Sequence, residues 1–267
     1  SQDQLVRLNV VERFVFYASY AISACVGGFI SSVGAYLIGL SADIIAMVLT
    51  LVVVACIPEM RRGDTATTPK RGISPKMIGA AIARNGILRS AFIMDCSQAF
   101  AFVALEDFFS LLLAGRGMNA VASGVTIAVQ LLASASMGLI VPSVIAHVDK
   151  GRFARICGIV RLFLTALFLI PFTPVYLLPV FYVLQTVAYS LFAPIKYSIF
   201  QNAVDSSMRC SLISVKSQMV AVGAILFYLL NAALSSIAGI RVILLVALGI
   251  SSLVYIPALF RLTSQRP

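Results

Sequence analysis

Charge is scarce in this sequence: only 11% of its 267 residues are Asp, Glu, Lys or Arg, while 60% are hydrophobic. A soluble domain carries about a quarter charged residues. A surface so poor in charge excludes an ordinary water-soluble fold and calls for lipid as the outer solvent. Tryptophan is absent, so the nine tyrosines alone are left to mark the membrane–water boundaries. There is one histidine, His147, and the five cysteines (Cys25, Cys56, Cys96, Cys157, Cys210) form neither a CxxC pair nor a metal-like spacing. The cysteines therefore read as free thiols acting as small apolar residues, and no metal site and no cofactor is expected. A membrane-embedded enzyme needs a clustered nucleophile and base, or metal ligands. A lone histidine and the lack of a Gly-rich phosphate loop argue against one.

What is present is apolar sequence in long runs, with mean hydropathy +1.01. A spanning helix needs about 20 apolar residues. Eight segments qualify, near 13–34, 37–57, 89–113, 119–142, 156–173, 175–199, 212–236 and 239–260. The first two form one run from Phe14 to Ile57. As a single helix that run would be roughly 65 Å long, twice the ~30 Å hydrocarbon core, so it must turn back. Gly34-Ala35-Tyr36 is the expected turn, and Pro171, Thr173 and Pro174 separate the fifth and sixth spans. The fold class is thus all-α, integral membrane.

The net charge of +10 does not point to nucleic acid, because the basic residues sit between apolar runs instead of on one solvated face. They report orientation instead. With the N-terminus inside, short inner loops collect eighteen of the twenty Lys and Arg residues, and only Arg116 and Arg241 fall outside. Both termini are predicted to be cytoplasmic, in a plasma membrane of the bacterial inner-membrane kind. The longest polar stretch, Pro58 to Asn85, is cytoplasmic in this topology. Within it Ser74-Pro75 opens and Asn85-Gly86 closes a short amphipathic helix with Lys76 and Arg84 at its ends, expected to lie along the interface. The first residues are polar with no small-residue cleavage site, so no cleavable signal peptide is expected.

Ionisable groups inside spans mark pathways by default. The third span holds Asp95, Gln98, Glu106 and Asp107. At ~100° per residue Asp95 and Glu106 lie within about 20° of each other, with Gln98 on the same stripe. Buried carboxylates of this kind exchange protons near neutrality, so Glu106, and then Asp95, are the proton-pathway candidates. The competing reading makes Asp95 part of a structural network with Arg161 and leaves Glu106 and Asp107 to external water. Gln130 and Gln185, at mid-depth of spans four and six, are candidate cavity residues or packing hydrogen bonds. Lys196, after the kinking Pro194, is expected to snorkel to the cytoplasmic interface.

Two spans, a long basic loop and six further spans resemble the major facilitator superfamily from its fifth helix to its twelfth. Three local matches accompany the pattern. His147-Val148-Asp149-Lys150-Gly151-Arg152 resembles the family's D-x-x-G-R loop between helices eight and nine, one residue short between Asp149 and Gly151. Asn202 to Ser214, with Arg209 and Ser214, resembles the loop between helices ten and eleven. Ser19, Ser23, Ala24, Gly27 and Gly28 fall where fifth-helix drug antiporters carry G-x-x-x-G-P-x-x-G-G; the last two glycines match and Ala24 holds the proline's place.

The resemblance implies residues 1–57 as the last two helices of an N-terminal half, 58–86 as the central cytoplasmic loop with its interfacial helix, and 87–267 as a six-helix C-terminal half with a short tail. It implies a chain whose first four family helices are missing, so that those helices become a required partner. It also implies a secondary transporter, not an enzyme, exporting small organic substrates through the bilayer with protons as coupling ion. A metabolite-uptake carrier of the same fold, or a non-transporting membrane subunit, is the alternative.

Overall fold

The computed structural model describes residues 19–34, 36–56, 74–145, 147–204 and 208–264. Nine helices cover most of them, and no strand occurs among the described residues. They are α1 (Ser19–Ser32), α2 (Tyr36–Cys56), α3 (Pro75–Arg84), α4 (Gly86–Ala114), α5 (Ala120–Ile145), α6 (Lys150–Leu169), α7 (Leu178–Asn202), α8 (Arg209–Leu234) and α9 (Ile240–Ser264). Five stretches are long and apolar enough to cross a membrane: α4, residues Ala120–Met137 of α5, α7 with its preceding turn, α8 and α9. The protein is therefore multi-pass and helical. The predicted fifth span corresponds to α6, whose polar first half and buried Arg161 make it the least apolar of the long helices. Arg7, Arg13, Arg61, Arg62, Lys70, Arg71 and Arg266 lie outside the described residues, as does most of the long polar loop.

The turns follow local chemistry. Between α1 and α2 the chain reverses at Val33-Gly34, with Gly34 at φ +71°, a conformation only glycine adopts without strain. Ser74 caps α3 by accepting the Met77 amide, Pro75 fills the first turn, and Asn85 ends α3 while its side chain accepts the Ile87 and Leu88 amides of α4. Ile78 and Ile82 turn α3 toward the core while Met77 and Lys76 stay exposed.

Successive helices of α4–α9 run in alternating directions. Asn85 at the start of α4 donates to the Ala203 carbonyl at the end of α7, 3.2 Å away. At the opposite end Arg116, after α4, donates to the Pro171 and Thr173 carbonyls, after α6. The extensive packings within this unit are α4 on α8 and α9, α7 on α5 and α6, and α6 on α9. Exchanging α4-α5-α6 with α7-α8-α9 maps this set of contacts onto itself. The core is rich in aromatics: Phe109 stacks on Tyr182 at 3.7 Å between centroids, with Phe168 beside both, and Phe227 anchors α8.

One helix departs from regular geometry. Residues Ala99–Val103 of α4 form a π-helical turn, which holds one residue more than the α-helical turn it replaces. The Ser251 hydroxyl of α9 donates to the Ser97 carbonyl at its entry, 2.8 Å away. Opposite the same place sits Gly223 of α8, where a Cβ would collide with the Cys96 carbonyl and lie 2.9 Å from the Ala99 Cβ.

Candidate functional site

The densest polar cluster in the six-helix unit lies where α4, α7 and α8 meet. Lys196 is buried, 4% exposed, and its Nζ lies 2.6 Å from Asp95 Oδ1 and 3.0 Å from Gln98 Oε1. Asp95 is equally buried, and its other oxygen faces Lys216 Nζ of α8 at 3.9 Å with no hydrogen bond of its own. Lys216 is half-buried over the Tyr197 and Phe200 rings. One carboxylate thus serves two ammonium groups carried by two different helices. These are the two ion pairs found among the described residues.

This corrects the expectation for Lys196, which does not snorkel to the interface. Its helix places it nearly two turns from the Asn202 end, but the side chain turns inward, because a carboxylate and an amide oxygen are available there and desolvated charge must be paired. The expected link of Asp95 to Arg161 is also replaced by the pair with Lys196. Asp95 and Gln98, one turn apart on α4, do share a face and a partner.

Glu106 does not join them. The one-residue surplus of the π-helical turn shifts the phase of the outer half of α4 by roughly 100°. The expected alignment within about 20° is lost, and Glu106 is exposed while Asp95 and Gln98 are buried. Glu106 lies within electrostatic reach of Arg161 and Asp107. Asp107 accepts a hydrogen bond from the Tyr228 hydroxyl.

A second cluster centres on Arg161 of α6, 2% exposed. Its guanidinium lies between the Phe102 and Tyr189 rings, 3.7 and 4.2 Å from their centroids, and Nε donates to Gln185 Oε1 at 3.2 Å. Gln185 in turn donates to Thr186. Arg161 Nη1 has no hydrogen-bond partner. Tyr189 links the two clusters, since its ring centroid also lies 5.9 Å from Lys196 Nζ. Gln185 is thus an arginine's partner, whereas Gln130 is buried on α5. Lys196, Lys216 and Arg161 were not singled out as site residues from sequence. A Lys following a mid-helix proline and an Arg deep in an apolar run were the available signals.

The loop motif has a structural role. Asp149 caps α6 by accepting the Arg152 amide at 2.7 Å, and that bond holds its carboxyl below the usual range. Gly151 lets α6 approach the end of α9, since a Cβ there would lie 2.6 Å from the Thr263 carbonyl. Arg152 is exposed.

Of the small residues on α1, Ala24 and Gly28 meet α5. A Cβ on Gly28 would lie 2.8 Å from the Ala120 carbonyl, and one on Gly124 would lie 2.5 Å from the Ala24 carbonyl. Ser19 and Ser23 are exposed, and Gly27 has nothing near it. The crossing is the small-residue packing that membrane helices use.

Among the described residues no group of three His, Cys, Asp or Glu side chains is placed to hold a metal. No protein-family model, curated protein or solved structure matches the chain.

Proposed function

We propose that the protein is a secondary transporter of the major facilitator type, moving small organic compounds across the membrane in exchange for protons. The observation that carries this reading is Asp95 buried between Lys196 and Lys216 in an apolar, membrane-crossing bundle. A buried ion pair is a poor device for stability alone, since well-packed apolar residues do as well or better. Inside membranes such groups belong to ion and substrate pathways. A carboxylate that neutralises two lysines on two helices can release one of them when a proton or a polar substrate group arrives, and so tie occupancy to helix position.

The packing symmetry supports the family reading. Two antiparallel triads, α4-α5-α6 and α7-α8-α9, exchange contacts in the manner of the inverted three-helix repeats within a six-helix half. In this reading α1 and α2 belong to the opposing half, with the remaining family helices as their partners, and the substrate path runs where the halves meet.

Glu106 and Asp95 now make separable claims. In liposomes carrying the complete transporter, ligand-dependent proton flux should be lost in D95N. An E106Q variant should lose coupling only if the exposed carboxylate also carries protons. Normal flux and pH dependence in D95N would overturn the reading, and the same result in E106Q would leave Glu106 outside the proton path.

A further inference from the structure

Where α4 begins and α9 ends, a pocket of about 490 Å³ is lined by Gly86, Arg89, Ser90, Phe260, Arg261 and Ser264. Arg89 is the fourth residue of α4, and Arg261 is four from the end of α9. Both are exposed, and no carboxylate among the described residues pairs with either, because both ion pairs go to Asp95. Arg155, outside the lining, lies 5.5 Å from the Phe260 ring centroid and donates to the Gly151 carbonyl. Cations converging on one hollow repel one another unless an anion sits between them.

At 1.5 Å per residue, α4 is roughly 43 Å long and outruns the ~30 Å hydrocarbon core, which leaves length for its first turn to reach the headgroup layer. Phe260 supplies an apolar wall of the pocket. The neighbouring α3 packs its isoleucines on the core and keeps Lys76 exposed along the same boundary. The α4 amides are not the binding groups, since Asn85 already caps Ile87 and Leu88. Recognition would fall to the guanidinium forks, which match phosphate oxygens bidentately.

We propose that this pocket holds the phosphate of an anionic phospholipid, with Arg89 and Arg261 on the headgroup and Phe260 against the first part of an acyl chain. The bound lipid neutralises the basic end of the bundle and fastens α4 to α9.

The test uses the full chain, delipidated in neutral detergent and then offered phosphatidylglycerol, phosphatidylcholine or inorganic phosphate. Lipid retention is read by native mass spectrometry. Phosphatidylglycerol should be kept in preference to phosphatidylcholine. R89Q/R261Q should weaken that retention by about twenty-fivefold, from roughly fivefold per arginine near a membrane surface. R89K/R261K, which keeps the charge, should lose less. K76Q/R84Q, changed on α3 outside the pocket, should behave as the parent protein. Equal retention in parent and R89Q/R261Q proteins, with unchanged helical content, would overturn the site. Competition by inorganic phosphate that displaces the lipid completely would assign the pocket to a soluble anion instead.

Discussion

The first two helices and the six-helix unit are built from similar amounts of apolar sequence but use it differently. In α1 and α2 the large side chains point outward: Leu37 is 79% and Met47 is 73% exposed. Their hydroxyls fold back on their own helices, Ser23 to the Ser19 carbonyl, Ser41 to Leu37 and Thr50 to Ala46. In α4–α9 charge is taken inside and paired, and aromatic rings fill the space around it. A hydroxyl that closes on its own helix makes no demand on a neighbouring helix. A helix with a buried lysine is finished only when a specific neighbour arrives. Polarity, not apolar content, is what fixes helices α4, α7 and α8 relative to one another.

The largest effect should come from removing that fixation. K196M leaves Asp95 with Lys216 alone, 3.9 Å away. Loss of one partner of a buried pair costs roughly 3–5 kcal/mol, and the lower end is expected because Lys216 can move closer. Thermal unfolding in detergent should show it, and D95N/K196M should recover much of the loss. An unchanged midpoint for K196M would mean that the pair contributes nothing to the unit's order.

An intermediate effect should separate the two regions. G124L places a Cβ 2.5 Å from the Ala24 carbonyl, so the backbones of α1 and α5 must part, an overpacking cost of roughly 1–3 kcal/mol. Ala21 and Ala128 belong to the small cluster between these helices. A disulfide between cysteines placed at those two positions should form in the parent background and fail in G124L, while α4–α9 unfold at nearly the same temperature. Efficient cross-linking in G124L would show that α1 is held by something other than this crossing.

The smallest effect concerns the α6 cap. The folded-state carboxyl of Asp149 titrates below its ordinary value because the Arg152 amide binds the charged form. Its contribution is therefore complete above the unfolded value of about 3.9 and is lost as pH falls through the lower folded value. D149N keeps a capping oxygen but no charge, so its stability should lose that acid dependence. Identical acid unfolding curves for parent and variant would remove the charge from the account.

Much of the helical frame was readable from sequence because its signals are local. Gly34 ended one run, Ser74-Pro75 opened a helix and Asn85 closed it, while the cap that Asn85 also gives to the next helix came from the structure. Asp95 and Gln98 were legible as a pair because one α-helical turn separates them. The rest depended on information no local pattern carries. Lys196 has the address of a snorkelling residue, and only the presence of Asp95 across 101 positions of sequence turns it inward. Glu106 was misphased because Ala99-Phe100-Ala101-Phe102-Val103 contains nothing that announces a wide turn, being neither proline nor glycine. Gly223 and Ser251, which accommodate and bond to that region, lie on other helices.

That wide turn also changes how α4 tolerates insertion and deletion. In an unbroken helix, dropping one residue rotates everything beyond it and moves a whole apolar face into the wrong surroundings. Within Ala99–Val103 a surplus residue is already accommodated, so a one-residue deletion there would restore ordinary α-helical geometry instead of damaging it. The outer segment, with Glu106 and Asp107, would keep its face relative to the inner segment that carries Asp95, because ten α-helical steps of ~100° reach the same phase as eleven residues that include the wide turn. A single codon thus separates a widened and a regular form of the same helix that present the same faces, and only closing the turn with every residue kept would bring Asp95 and Glu106 into line.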